Sequence, residues 1–557
     1  MARRRERVCA CMSLLILIVV FIIIIVACSS RLVGQDCEGG SFKKAAVAAD
    51  SETCSQVGRD VLQEGGTAVD GAVAALICTS VINPQSMGIG GGVIFTVMET
   101  NGKVKIINAR ETAPKLVKAN LLSECSTNVQ QVSGSQWIGV PGEIRGYERV
   151  HRLYGRLPWS RLFQPTIRLA REGFKMPNML SRVISYFSQT PLLKQLFVDA
   201  EGKMLKEGDI VKFEKLADTL EKIAERGANE FYTGETARDL ISDIEEAGGT
   251  VTMEDLRSFE VFESEAWKVP LGNYIMYFPP PPAGGAALSF ILNVMQGYIL
   301  KPASVQKKED RELTYQRYVE ACKFANGLKR FMRDPRFGSD AEAFNMTQKE
   351  FADHIRKKIT DDRTHDAQYY NVTPGVDTPG TTHVSVLDEH GMAVSVTSTI
   401  NHIFGSKVYS PRTGIILNNE LSDFCGKTNH IHPGEQPPSS MAPVILHSKT
   451  EENTIIIGGS GGSMITTAMA MTLMNYLWFG KNLDDSISAP VVYVDGKNAL
   501  KFEPHFDKDV IEALRGLGHT VEDAKLFFNV VNGISKQEGE CIDAVSDARK
   551  MGKPAGY

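Results

Sequence analysis

The chain has 557 residues, 43% hydrophobic and 23% charged, the balance of an ordinary globular protein able to bury a large core. With 61 Lys and Arg against 66 Asp and Glu, the net charge of -5 offers no basic field suited to nucleic acid. Ten cysteines without a CxxC pair indicate neither a zinc site nor a disulfide-dense small scaffold.

Arg3, Arg4, Arg5 and Arg7 precede an uncharged, mostly apolar run over 8–28. At about 1.5 Å per residue such a helix spans roughly 30 Å, the thickness of a bilayer core. A cleaved signal peptide is the rival reading, with Ala27-Cys28-Ser29 as its small-residue site, but its apolar region would normally be about 7–15 residues long. The reading adopted is an uncleaved signal anchor in the type II, single-pass sense. It makes 1–7 a cytoplasmic tail and puts the chain beyond residue 28 outside the cell. The sequons Asn345-Met346-Thr347 and Asn371-Val372-Thr373 agree with that side as glycosylation sites, and an oxidising exterior permits disulfides.

From Lys43 to Cys78 the pattern is a short strand, Ala45-Ala46-Val47-Ala48, then two helices, the second rich in small residues. Asn83-Pro84-Gln85-Ser86-Met87-Gly88-Ile89-Gly90-Gly91-Gly92 follows. It fails as a nucleotide loop, because Val93 stands where GxGxxG needs its third glycine. It reads instead as a glycine turn letting backbone pass close to an active-site floor. A strand over 92–100 comes next, and Ile106-Ile107-Asn108-Ala109-Arg110-Glu111 places an arginine at a strand end. Taken alone, such an arginine is more often half of a surface ion pair. Residues 138–270 read as mostly helical. Pro279 to Pro282 are either a proline-helix ligand or a rigid strand-to-helix bend, and the apolar strand before and apolar helix after them favour the bend. The segment 301–377 is charged and helical, loosening over 361–379.

At Asp377-Thr378-Pro379-Gly380-Thr381-Thr382-His383-Val384-Ser385-Val386 a turn opens into an alternating strand. The bland reading is a loop entering a half-buried strand. The sharper one makes Gly380–Thr381 a cleavage junction and Thr381 a new chain terminus. A threonine hydroxyl is a weak nucleophile without a base, and a terminal threonine carries one, its own α-amine with a reference pKa of about 7.7–8.0. Strands are expected over 384–387, 392–398 and 414–417. Ile455-Ile456-Ile457 then runs into Gly458-Gly459-Ser460-Gly461-Gly462-Ser463 and a helix over about 464–477, so that backbone N–H groups collect at a helix start. Without a P-loop lysine this loop suits an oxyanion hole. His430 and His432 beside Cys425 are the only histidine cluster and give little support for a metal site.

With Thr399-Ile400-Asn401, Ser410-Pro411-Arg412-Thr413-Gly414-Ile415, Asn418-Asn419-Glu420, Asp423-Phe424, Ser439-Ser440-Met441 and the 458–462 glycines, the ordered array after Gly380–Thr381 resembles the gamma-glutamyltransferase (glutathione hydrolase) family of N-terminal-nucleophile enzymes. The resemblance runs from about 42 to 557. It implies an α/β (α+β) fold, a four-layer αββα sandwich, with 29–380 as a large chain and 381–557 as a small chain after autoproteolysis of a proenzyme. It also implies the roles. Thr381 is the nucleophile, Thr399 orients it, and Gly461 and Gly462 form the oxyanion hole. Arg110, Ser439 and Ser440 hold the substrate α-carboxylate, and Asn401, Glu420 and Asp423 hold its α-ammonium. No cofactor or metal is implied. The partners are glutathione or its conjugates, an amino acid or dipeptide acceptor, and the two chains each other. Cys54 with Cys78 resembles a paired position in mammalian members, and Cys37 with Cys125 is a weaker pairing.

Two departures stand out. Ser422 precedes Asp423 where many relatives carry a second acid, and the lid-like stretch 426–438 is short. Gln136-Trp137-Ile138-Gly139-Val140-Pro141-Gly142, 279–286 and 408–421 look most like the leukotrienase branch of the family, which implies glutathione S-conjugates, including the glutathione-bearing leukotriene, as substrates. The alternatives are an uncleaved, non-catalytic membrane ectodomain that binds γ-glutamyl ligands, and an N-terminal-nucleophile amidase for another acyl group.

Overall fold

Two sheets lie face to face at the centre of the folded unit Phe42–Tyr557. A computed structural model describes residues 37, 40–125, 132–187, 190–372, 380–523 and 529–557. The apolar run 8–28 and the stretch 373–379, with Thr373 of the second sequon, fall outside the described residues. Among those described, no helix is long and apolar enough to cross a membrane.

One sheet has seven antiparallel strands in the order Ala555–Gly556, Ala46–Ala48, Thr382–Leu387, Ala393–Thr399, Gly92–Met98, Val104–Ala109 and Phe262–Glu265. The other sets Ile542–Val545, Val530–Lys536, Thr454–Ser460, Val444–Ser448, Tyr274–Phe278 and Trp267–Leu271 side by side. Central strands are covered on both faces, so Thr382–Leu387 and Ala393–Thr399 are buried at every position. Leu387, Ala393, Ile445, Ile456 and Ile534 fill a thin apolar seam between the sheets. Serines stitch the seam, Ser385 Oγ donating to Ile456 O at 3.3 Å and Ser395 Oγ to Ile457 O at 3.0 Å. Gly458 allows the approach, since a Cβ there would lie 2.2 Å from the His383 ring.

Helices cover the outer faces. Glu52–Gln63, Ala68–Ile82 and Glu143–Tyr154 pack on the first sheet through a core that includes Val73, Ile77, Val384 and Val396. Gly285–Gln296 and Ile465–Leu477 cover the second through Leu288, Ile291, Ile457 and Met469, and Lys308–Leu328 packs on Gly285–Gln296. The result is the αββα sandwich. Ala68–Ile82 is buried at every residue, starts from a Thr67/Asp70 capping box, and is tied to its neighbour by the Cys54–Cys78 disulfide.

Two expectations change. Cys125 pairs with Cys425 and not with Cys37, because Leu121, Trp137, Leu421 and Phe424 form an apolar cluster that brings the turns Leu121–Glu124 and Glu420–Phe424 together. Cys37 is disulfide-bonded, but not to Cys125. The stretch 414–417 forms no strand, only the isolated bridges Tyr409–Ile416 and Gly90–Leu417, because Gly414 turns at φ +78° against the backbone of Leu216. Residues 279–282 do form the bend between Tyr274–Phe278 and Gly285–Gln296. Cys425 is committed to its disulfide, and His432 is bonded to Glu435 at 3.0 Å and stacked on Phe337.

Candidate active site

Thr381 sits where the chain enters strand Thr382–Leu387, with φ at +78°, a region that β-branched residues avoid. Its neighbour must be glycine. A Cβ on Gly380 would lie 1.8 Å from the carbonyl oxygen of Asn401. The peptide joining the two residues is gripped from both ends. Thr381 N–H donates to Ser86 O at 3.1 Å, and Gly380 O accepts from Gly461 N–H at 2.9 Å. Antiparallel pairing with Ala393–Thr399 brings Thr399 alongside, its Oγ1 3.1 Å from Thr381 Oγ1. Thr399 Oγ1 also accepts from Asn401 N–H at 2.8 Å, which fixes its rotamer. The glycine turn behaves as anticipated: a Cβ on Gly91 would lie 2.1 Å from Thr399 O. Gly461 and Gly462, with φ of +118° and +56°, leave strand Thr454–Ser460 and lead through a short turn into helix Ile465–Leu477.

A second cluster faces this junction. Arg110, at the end of strand Val104–Ala109, is fully buried and so is not the surface ion pair that an isolated arginine suggests. Its Nη1 lies 2.7 Å from Glu420 Oε1 and its Nη2 2.9 Å from Asp423 Oδ2. Nε donates to Pro437 O at 2.7 Å and Nη2 to Pro438 O at 3.1 Å, so hydrogen bonds to these two carbonyls and to Asp423 fix the guanidinium plane. Burial pushes the Glu420 carboxyl up to about 7, with Arg110 pulling the other way. Burial, followed by the charge of Glu420, pushes Glu111 well above the usual carboxylate range. Among the described residues, Glu420 Oε2 and both carboxylate oxygens of Glu111 are buried without a hydrogen-bond partner. Asn401 Nδ2 donates to Ser422 Oγ at 2.9 Å, which is what the serine before Asp423 does here.

Thr381, Thr399, Gly462, Arg110, Asn401, Glu420, Asp423, Ser439 and Ser440 line one cavity of about 110 Å³. Of the ten residues assigned catalytic or substrate-binding roles from sequence, only Gly461 is absent from that lining, and it holds the Gly380 carbonyl. Asn345 and Asn371 are exposed, and Asn371 lies beside Val372 and Arg330 at the edge of that cavity. Sequence reasoning missed Lys550. Its Nζ donates to Thr381 O at 2.7 Å, Ser460 Oγ at 2.8 Å and Asp50 Oδ2 at 2.7 Å, and the residue is 7% exposed. In sequence it stands beside Arg549 in a charged tail, the pattern of a solvated lysine, and only the closing of the sheet edge around it reveals otherwise.

A threonine heading a strand of an αββα sandwich, with the preceding carbonyl already in a hydrogen-bond cradle, defines an N-terminal-nucleophile hydrolase before it cuts itself. The family model described as Gamma-glutamyltranspeptidase matches residues 54–557. Glutathione hydrolase 5 proenzyme from Rattus norvegicus is 45% identical over 540 residues, covering 94% of each chain. The Homo sapiens protein of the same name is 44% identical over 93% of each. Among solved structures, cephalosporin acylase from Bacillus halodurans superposes with a TM-score of 0.83 at 25% identity over 94% of this chain and 98% of its own. Helicobacter pylori gamma-glutamyltranspeptidase gives 0.52 at 26% identity over 60% and 95%. The chain belongs to the gamma-glutamyltranspeptidase family. It is therefore an enzyme, a self-cleaving gamma-glutamyltransferase of the glutathione hydrolase kind.

Proposed function

We propose that Thr381 is both the residue at which the chain cuts itself and the nucleophile of the mature enzyme. The observation that carries this is the gripped Gly380–Thr381 peptide, with Thr381 Oγ1 3.1 Å from Thr399 Oγ1. In maturation the hydroxyl attacks the Gly380 carbonyl, whose oxygen already faces the Gly461 N–H. The freed α-amine then serves as general base for attack on the γ-carbonyl of glutathione or a glutathione S-conjugate, help typically worth about 10²–10⁴-fold. The N–H groups of Gly461 and Gly462 take the oxyanion, each such donor being worth roughly 3–4 kcal/mol. The γ-glutamyl ester passes to water or to an amino acid or dipeptide.

Substrate binding is an exchange of ion pairs. The α-carboxylate replaces Glu420 and Asp423 at Arg110, with Ser439 and Ser440 beside it. The α-ammonium replaces Arg110 at Glu420 and Asp423, with Asn401 beside it. A clamp of that kind supports an amino-acid acyl group over the side chain of a cephalosporin. The sequence resemblance to the leukotrienase branch supports S-conjugates, the glutathione-bearing leukotriene among them, and the hydrolase 5 relatives accord with glutathione itself. The arginines before the run 8–28 support a type II anchor with the enzyme outside the cell, glycosylated at Asn345 and Asn371, and heavy and light chains meeting at 380–381.

Reducing gels of the purified protein test the core of this reading. Two fragments are expected, the smaller beginning with Thr381, whereas Thr381→Ala remains one inactive chain. A fully active single chain overturns it. For topology, a protease added outside intact cells should reach residues beyond about 30, and mature protein starting near Ser29 and free in the medium would favour a signal peptide instead.

A further inference from the structure

Gln85 lies in the stretch before the glycine turn and has no part in the scheme above. It is 2% exposed, and both polar atoms of its side chain, Oε1 and Nε2, are buried without a hydrogen-bond partner among the described residues. A buried amide with neither group satisfied is costly and calls for an explanation. Its backbone is fixed, Gln85 O accepting from Phe404 N–H at 2.9 Å, and the adjacent Ser86 O holds the N–H of Thr381. Gln85 borders a small space behind the junction, of about 10 Å³, that Gly380, Met179, Ile403 and Lys550 also line. That is close to the room a single water needs, about 10–15 Å³, and a water there finds the Gln85 amide as both donor and acceptor. The ammonium of Lys550 already has three partners and is not free to act as the water's base.

We propose that Gln85 is a positioning residue that holds the water completing self-cleavage, an inference resting on Gly380–Thr381 being the junction. In the first step Thr381 Oγ adds to the Gly380 carbonyl carbon. The C–N bond breaks and the hydroxyl proton passes to the departing nitrogen, leaving a free amine and an ester between Gly380 and Thr381 Oγ. In the second step the water oxygen adds to the ester carbon and the C–Oγ bond breaks. One water proton goes to Thr381 Oγ and the other to the amine, and Gly380 leaves as a carboxylate. Gln85 takes no proton. It aligns the water beside the amine, which Ser86 O holds on the neighbouring residue.

The test follows maturation of the full chain on reducing gels, with and without hydroxylamine, which cleaves esters and leaves ordinary peptide bonds intact. The wild type is sequenced first. If it yields no fragment beginning with Thr381, the junction reading fails whatever Gln85 does. Given that fragment, Gln85→Leu should mature about 10²-fold more slowly, the size of effect expected from a misplaced reactant. Hydroxylamine should restore its cleavage between 380 and 381, because the ester forms and only its water is missing. Gln85→Glu, which keeps an acceptor at the same reach, should mature faster than Gln85→Leu. Maturation of Gln85→Leu at the wild-type rate overturns the proposal, and so does a stalled chain that hydroxylamine leaves whole.

Discussion

Arg110 Nη1 stands 2.7 Å from Glu420 Oε1, and the two side chains are 0% and 1% exposed. The two ends of the proposed substrate clamp therefore neutralise each other before any substrate arrives. A zwitterionic amino-acid head can take over both partners without changing the charge of the buried site. A ligand with only one of those charges leaves its opposite number stranded, and an uncompensated buried charge costs several kcal/mol.

Removing the arginine should expose both roles. Arg110→Ala should still cut itself, since the junction is held by Ser86 and Gly461 rather than by Arg110. It should lose roughly 2–5 kcal/mol of donor binding, seen mainly as a raised KM. It should also lose about 3–5 kcal/mol of stability, because two carboxylates lose their cation. Adding Glu420→Gln should restore part of the stability and none of the binding. Arg110→Lys should recover little, as an ammonium cannot reproduce the planar fork that reaches Pro437 O, Pro438 O and Asp423. Steady-state kinetics and thermal unfolding of the same preparations check all three variants. Near-normal KM in a cleaved Arg110→Ala enzyme would remove the arginine from the clamp.

The clamp should also carry a pH signature. Burial raises Glu420 to about 7, so acidification through neutrality protonates the group that receives the α-ammonium. KM for the γ-glutamyl donor should rise as pH falls below about 7, by up to about tenfold per unit, while kcat follows the Thr381 amine at higher pH. Glu420→Gln should flatten the KM limb. A donor KM independent of pH between about 6 and 8 would contradict the assignment.

Much of this site was legible in the sequence for a physical reason. The roles proposed for Thr381, Arg110, Glu420 and the Gly461–Gly462 pair belong to chemistry that tolerates few substitutes, and each residue lies in a local pattern of turn, strand end or glycine loop. Lys550, Gln85 and Ser86 act through where the fold carries their backbone, and no local pattern marks that. The strand expected over 414–417 failed for a similar reason: apolar residues there pack under a turn set by Gly414. Cys125 looked pairable with Cys37, but its partner lies 300 residues along the chain and is brought to it by an apolar cluster drawn from both regions.

Glu143 offers a stability test away from the clamp. It is fully buried, accepts from Ser398 Oγ at 2.8 Å and from the Tyr147 hydroxyl, and burial raises it from 4.5 to about 8. The unfolded chain loses this proton near 4.5 and the folded one near 8, so the folded state binds more protons between those values and stability falls as pH rises across them. The slope is at most about 1.4 kcal/mol per pH unit. Glu143→Gln copies the neutral acid, with Oε1 still accepting both bonds. Its unfolding temperature should therefore gain on the wild type steadily from about pH 5 to 8, then run parallel. A constant difference across that range would mean Glu143 is ionised in the fold.

The Cys125–Cys425 disulfide makes the last prediction. Its two cysteines lie on opposite sides of the 380–381 junction and are separated by 300 residues. In the uncut chain it closes a very long loop, which by chain entropy alone is worth on the order of 5–6 kcal/mol. Cutting at the proposed 380–381 junction would open that loop, and the same bond would become a covalent link between the large and small chains. Matured protein should run as one species on a non-reducing gel and as two after reduction, and peptide mapping should recover Cys125 joined to Cys425. The bond also has work at the site. It anchors the turn Glu420–Phe424, which presents Glu420 and Asp423 to Arg110, and Cys425 itself lines the cavity. Replacing both cysteines with serine should leave self-cleavage intact, since Gly461 and Ser86 hold the junction independently, while raising donor KM roughly tenfold as the two acids lose their fixed positions. Mapping that finds Cys125 joined elsewhere or as a free thiol would refute the link, and an unchanged KM in the double serine variant would refute its role in the clamp.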